Sequence, residues 1–201
     1  MSTDVVAPAY PVSFSFDPPE TVARWRPLVH WLLAIPHFVV LYALAIVASV
    51  FTVIAWFAGV FTGKIPEGIQ GPIAMYLRYN VRVTTYLMFL RGDYPPFAFD
   101  AGLADAGADP LVRVDVTPQL EGRNRLTIFF RYFMLLPQIF VLLFVFIGLY
   151  VVMIIGFFAV LILGRWPVGL RNYVIGSLRW STRLNGYSSL LTDEYPPFGF
   201  N

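Results

Sequence analysis

The sequence predicts an all-α membrane protein. It reads as two tandem, pseudo-symmetric repeats with about four transmembrane crossings, amphipathic interfacial helices, and short extended or β segments at the repeat ends. Three observations carry this reading. The 201-residue chain is 58% hydrophobic and only 13% charged, about half the charge of a soluble domain. Two long stretches, Leu28 to Gly63 and Leu126 to Gly164, hold a single charged residue between them, Arg131. Each exceeds the roughly 20 apolar residues that span a bilayer. Finally, the chain writes "DYPPFAFD" at 93–100 and "EYPPFGFN" at 194–201, an offset of 101.

That offset holds without a gap from Arg24 to the YPPF box. Arg24 falls on Arg125, Pro36 on Pro137, Gly63-Lys64 on Gly164-Arg165 and Pro66 on Pro167. Leu77-Arg78 meets Leu178-Arg179, Arg82 meets Arg183, and Tyr86 meets Tyr187. One register kept across mixed residue types is a tandem duplication. It divides the chain into a first membrane repeat at 10–100, a linker at 101–111 and a second repeat at 112–201.

Each repeat opens on a period-two stretch, "VSFSF" at 12–16 and "VRVDV" at 112–116, which reads as a short half-buried strand. Pro18 and Pro118 are expected to close these strands. A small sheet built by both copies, outside the lipid, is the expected cap. The start, "MSTDVVAPAYPVSF", lacks the basic n-region of a signal peptide, so the first apolar run is expected to stay in the membrane.

The apolar runs admit two arrangements. In the favoured one, each folds as a tight helical hairpin, with a turn near Gly148 in the second copy, and 68–91 and 169–192 lie as amphipathic helices in the interface. Arg78, Arg82 and Thr85 then form one polar stripe at i, i+4 and i+7, repeated by Arg179, Arg183 and Gly186. In the other, each run is one long kinked helix and 68–91 crosses back, leaving Arg78 and Arg82 near mid-bilayer, where charge is expensive. Both give four crossings at the plasma membrane, with N and C termini on the cytoplasmic side. Pro36 and Pro137 are expected to kink the runs or separate an interfacial turn. The YPPF ends read as edge strands or polyproline-like arms, since two prolines remove two ladder donors. "DAGLADAGADP" between the copies reads as a flexible polar linker.

The combination "R-x-R…LAIPH…FTGKIP…LRYNVR…YLMFLRGDYPPF", with its second version "NRLTIFFRYFMLLPQ…ILGRWP…LRWSTRLNGY…LLTDEYPPFGF", resembles a bacterial membrane family. That family, common in actinobacteria, carries a domain of unknown function, often in two tandem copies. The resemblance covers nearly the whole chain and implies an envelope setting. It brings no activity and no site residues.

Chemistry is sparse. The chain has no cysteine, which excludes disulfides and thiol nucleophiles. A net charge of +2 with no basic-aromatic patch argues against nucleic acid. No phosphate loop, dinucleotide fingerprint or nucleophile elbow appears. Asp93 and Glu194 match across the copies and read as helix-end caps or arginine partners. His30 and His37 are seven apart, with no third ligand near for a metal. They read as interfacial side chains reaching toward headgroups, with a proton relay as the sharper alternative. Their counterparts are Arg131 and Gln138. No cofactor or metal is expected.

The matched arginines are the strongest shared polar set: Arg24, Arg78, Arg82, Arg125, Arg179 and Arg183, with Lys64 and Arg165. A guanidinium fork suits phosphate, so anionic lipid headgroups or a partner are the expected ligands. Anchoring plus salt bridges to Asp17, Glu20, Asp93, Glu121 and Glu194 is the plainer reading. The boxes Tyr94, Pro95, Pro96, Phe97 and Tyr195, Pro196, Pro197, Phe198 are expected docking edges for a partner protein. The chain therefore reads as a non-catalytic accessory or scaffold module that binds membrane lipids and a partner membrane protein or itself. A transporter subunit is the alternative, and a lipid-modifying enzyme the remote one.

Overall fold

A computed structural model describes residues 10–66, 68–117 and 119–200. Seven elements follow one another: β1 (Val12–Phe16), α1 (Arg26–Leu33), α2 (Ile35–Thr62), α3 (Gln70–Leu87), β2 (Val112–Val116), α4 (Arg125–Leu163) and α5 (Val168–Ser188). Pro118, expected to close β2, lies outside the described residues, as do Glu67 and most of the N-terminal segment.

The two alternating stretches are strands, and they pair with each other. β1 and β2 form an antiparallel two-stranded sheet with Phe14 opposite Val114 and Ser13 opposite Asp115. Val12, Phe14, Val112, Val114 and Val116 are buried on one face, while Ser13, Ser15 and Arg113 face outward. Alternation with a period of two puts them there.

This register carries the symmetry of the molecule. Between the strands the offset is 100: it takes Val12 to Val112 and Phe16 to Val116, so the copies exchange the outer pairs Val12–Val116 and Phe16–Val112 about the central Phe14–Val114 pair, and every residue keeps its face. An exchange of that kind is a pseudo-twofold axis normal to the sheet. The rest of the molecule obeys it. Arg125 and the Arg123 carbonyl crowd Gly63, just past α2. Arg24 and the Val22 carbonyl crowd Gly164, just past α4. Each long helix thus ends where the other copy's helical run begins, so α2 and α4 are antiparallel and perpendicular to the axis.

Three layers stack along this axis. The sheet lies on α3 and α5, and these lie on α2 and α4. The strands are exchanged, because β1 of the first repeat packs on α5 of the second and β2 packs on α3 of the first. The close approach of Val12 to Gly186, 2.7 Å from where a Cβ would stand, fixes one of these contacts.

The helical hairpins do not form. α2 runs unbroken for 28 residues and α4 for 39. Gly148 sits inside α4, where it admits the Tyr173 hydroxyl, 2.5 Å from a would-be Cβ. Its use is close helix packing, not a turn. Among the described residues, α2 and α4 are the helices long and apolar enough to cross a membrane. Four crossings do not follow from the architecture.

The prolines act differently in the two copies. Pro36 lies in the first turn of α2, just after a break at Ala34 that separates α1. Pro137 stays within continuous α4. The G-[KR]-x-P box is a helix stop. Gly63 and Gly164 take the left-handed conformation at φ 72° and 70°, which glycine adopts without a Cβ penalty, and the proline that follows cannot resume the helix.

Helices α3 and α5 are packed between the sheet and the two long helices. α3 is buried on most of its circumference, and its Arg78–Arg82–Thr85 stripe faces inward. Segment 101–111 is not a loose linker either, because Asp105 and Asp109 are buried in it. The YPPF ends form no strand; they are extended arms laid back on the helices.

Candidate functional site

The arginines divide into two sets. Arg78 and Arg82 are 2% exposed. They share the carboxylate of Asp105, at 3.2 Å and 2.9 Å. Arg78 also donates to the carbonyls of Val114, Asp100, Gly102 and Leu103. Burial pulls the Arg78 guanidinium below its ordinary pKa, while Asp105 opposes that shift. In the second copy, Arg179 donates to the carbonyls of Phe14 and Phe200, and Arg183 to that of Gly199. Arg78, Arg82 and Arg183 are buried and Arg179 is half-buried, and these bonds bolt the sheet and the arms to α3 and α5.

Arg24, Lys64, Arg125 and Arg165 are exposed. Arg24 and Arg165 stand at one end of the helical layer, Lys64 and Arg125 at the other. Lys64 forms an exposed ion pair with Glu121 at 2.8 Å, which holds the Glu121 carboxyl below its usual range. Among the described residues, Glu121 is the one expected acidic partner with an arginine-or-lysine ion pair. The other ion pairs use acids that sequence reasoning passed over. Arg91 meets Asp109, Arg113 meets Asp115, and Asp193 binds both Arg123 and Arg131. Two aspartates, Asp105 and Asp109, in the 11 linker residues were the available signal, because so apolar a chain has few other partners for buried arginine.

The histidines do not reach toward headgroups. Both are fully buried. The His30 ring stacks on Tyr86 with centroids 3.8 Å apart, and its Nδ1–H donates to the Tyr86 carbonyl at 2.7 Å. Its counterpart Arg131 donates to the matching carbonyl, that of Tyr187. His37 bonds the Tyr79 hydroxyl at 2.6 Å, and the matching pair is Trp180 Nε1 donating to Gln138. One scaffold thus accepts two polar couples at each equivalent place.

The boxes clamp the chain onto itself. Tyr94 donates to the carbonyl of Leu33, and Tyr195 to that of Met134, the equivalent position. Phe97 stacks on His37 at 4.4 Å, and Gln138 donates to the Pro196 carbonyl. Pro95 and Pro196 are buried, while Pro96, Pro197, Phe97 and Phe198 keep exposed surface. Asp93 and Glu194 contribute backbone carbonyls, to Arg91 and Tyr10 respectively.

Burial pushes His30 down to about 4, partly offset by its bond to Tyr86 and reinforced by Arg26. A histidine depressed in the folded state stabilises fully above its unfolded value near 6.5, and that stability is lost as pH falls toward 4. The loss is about 3 kcal/mol at most. The His30→Gln variant should show a flatter decline in detergent melting temperature between pH 7 and pH 4.5 than the natural chain. Parallel curves would sink this assignment.

Two equivalent clefts flank the helical layer. One, of about 250 Å³, is lined by hydroxyls of Ser49, Thr52, Tyr76, Tyr132 and Ser188. The other, of about 400 Å³, is lined by Phe89, Tyr150, Met153, Ile154 and Phe157. Neither is lined by His, Asp, Glu or Lys, so neither offers a base to a hydroxyl nucleophile. Among the described residues no group of side chains could hold a metal ion.

The remaining feature is the surface of the helical layer. α2 buries only His37, Ala48, Ala55 and Gly59. α4 buries a single stripe, from Ile128 and Leu135 through Leu142 and Leu149 to Gly156 and Val160. Phe38, Tyr42, Phe57, Phe61, Phe133, Phe144 and Phe158 are among the many large side chains left exposed. Soluble monomers rarely expose so large an apolar face. The candidate site is this face, with basic residues at both ends.

Neither a curated protein nor a solved structure matches the chain. The profile of a domain of unknown function, DUF4389, matches residues 24–98 and again 125–199. The two matches start 101 residues apart, the offset of the internal repeat. The chain belongs to the DUF4389 family and carries two tandem copies of its domain.

Proposed function

We propose that this protein is a non-catalytic module of the plasma membrane, an accessory or scaffold that holds anionic lipid headgroups and presents its polar cap, with both termini, to the cytoplasm. The observation that carries the reading is the separation of the two basic sets. Arg24, Lys64, Arg125 and Arg165 are exposed where the apolar layer meets water, the place at which a basic side chain gains about 1 kcal/mol from an anionic surface. Arg78, which meets Asp105 and four carbonyls, serves the fold itself, and this favours the scaffold reading over that of a transporter subunit.

The test is to purify the protein gently from its own membrane and identify what accompanies it by mass spectrometry. Enrichment of anionic phospholipid is expected. It should fall at least tenfold when Arg24, Lys64, Arg125 and Arg165 are all changed to Gln, given roughly 1 kcal/mol for each. Unchanged enrichment in this variant would count against headgroup recognition. A stoichiometric protein partner would support the accessory role, and the exposed Phe97 and Phe198 of the boxes are the first contacts to test.

A further inference from the structure

We infer that α2 and α4 lie in the plane of a single leaflet and do not cross the bilayer. The partner surface is the headgroup and upper acyl region of one monolayer. The inference rests on the membrane reading above and fixes how the protein sits in that membrane.

The symmetry carries it first. The pseudo-twofold axis is normal to the sheet and perpendicular to both long helices. If those helices stood across the bilayer, the axis would lie in the membrane plane and the sheet would sit at mid-depth. Its outward face, with Ser13, Ser15, Arg113 and Asp115, would then meet hydrocarbon, where charged side chains are expensive. Turned by a right angle, the axis becomes the membrane normal. The sheet then faces water, α3 and α5 form the middle, and the apolar layer faces lipid.

Length agrees. α4 has 39 residues, about 58 Å at the usual rise. A hydrocarbon core of about 30 Å would demand a tilt near 60°, beyond the range of about 0–40° seen for spans. A layer one helix thick, about 10–12 Å, fits within one half of that core. Near the middle of α4, where a span is driest, stands Tyr150, 70% exposed. A helix lying flat has headgroups within reach along its whole length.

Charge agrees as well. Across a bilayer, Arg24 and Arg165 would face one side and Lys64 and Arg125 the other. That balance gives no positive-inside bias. In one leaflet all four meet the same headgroup layer.

The test uses equivalent positions at the two ends. Glu20 and Glu121 are exposed, related by the 101-residue offset, and lie in a chain with no cysteine. Glu20→Cys and Glu121→Cys would be labelled singly with a membrane-impermeant maleimide, in intact cells and in inside-out vesicles, with labelling in detergent as the total. Both are expected to label in inside-out vesicles and neither in intact cells. Labelling of the two from opposite faces overturns the single-leaflet arrangement. Labelling of both from outside would support that arrangement and overturn the cytoplasmic placement of the cap. Release of the natural chain from membranes by alkaline carbonate would overturn the membrane reading itself.

Discussion

Replacing Asp105 with alanine is expected to destabilise the protein by about 3–5 kcal/mol, the range for removing one partner of a buried ion pair. Its side chain is 0% exposed and serves two arginines at once. It also accepts backbone N–H bonds from Gly107 and Val114. Without it, Arg78 and Arg82 would remain charged in a dry interior with only carbonyl dipoles for company. Asp105→Asn keeps the shape and part of the hydrogen bonding, so it should cost less than alanine. Adding Arg82→Met to Asp105→Ala removes one stranded charge and should recover part of the loss. Thermal unfolding in detergent checks all three. Equal stability of Asp105→Ala and the natural chain would mean that the cluster is hydrated and the burial argument fails.

A first repeat made alone, residues 1–100, is expected not to fold. The reason is exchange. β1 has no partner strand without β2, and it packs on α5 of the other repeat. Arg78 would lose its acceptors at Val114, Gly102 and Leu103, and Arg82 would lose Asp105. The C-terminal part of α2 would lose Ile128 and the Trp56 bond to the Ile128 carbonyl. A lone strand with one exposed apolar helix pair cannot bury enough surface to order itself. Co-expression of 1–100 with 101–201 should restore a complex that purifies as one species. A monodisperse, cooperatively melting 1–100 fragment would refute the interlock.

The duplication shows how far the two copies have diverged within one frame. Backbone devices are kept in register: the glycine caps at 63 and 164, and the left-handed residues Phe89 and Leu190 after α3 and α5. The charged partners are not. Asp105 belongs to the connecting segment, and Asp193 falls opposite Gly92. Arg78, Arg82, Arg91, Arg123 and Arg131 each meet an aspartate, and each copy found its own in a different place.

Much of this protein was legible in its sequence. The repeat, its offset and the apolar runs depend only on residue identity. The two strands depend on a period of two, a local property that the backbone reads directly. The helix stops at Gly63 and Gly164 are likewise local. The sequence did not decide whether each apolar run would double back, because apolar residues without polar punctuation satisfy a hairpin and a long helix equally well. Nor did it decide what the arginines meet. Arg78 at i and Arg82 at i+4 make a polar stripe whether that stripe faces headgroups or a buried aspartate 23 residues on. Spacing fixes which residues share a face. Only the packing of β2, the 101–111 segment and the arms against α3 and α5 decided what that face meets, because burying an arginine requires partners that come from elsewhere in the chain.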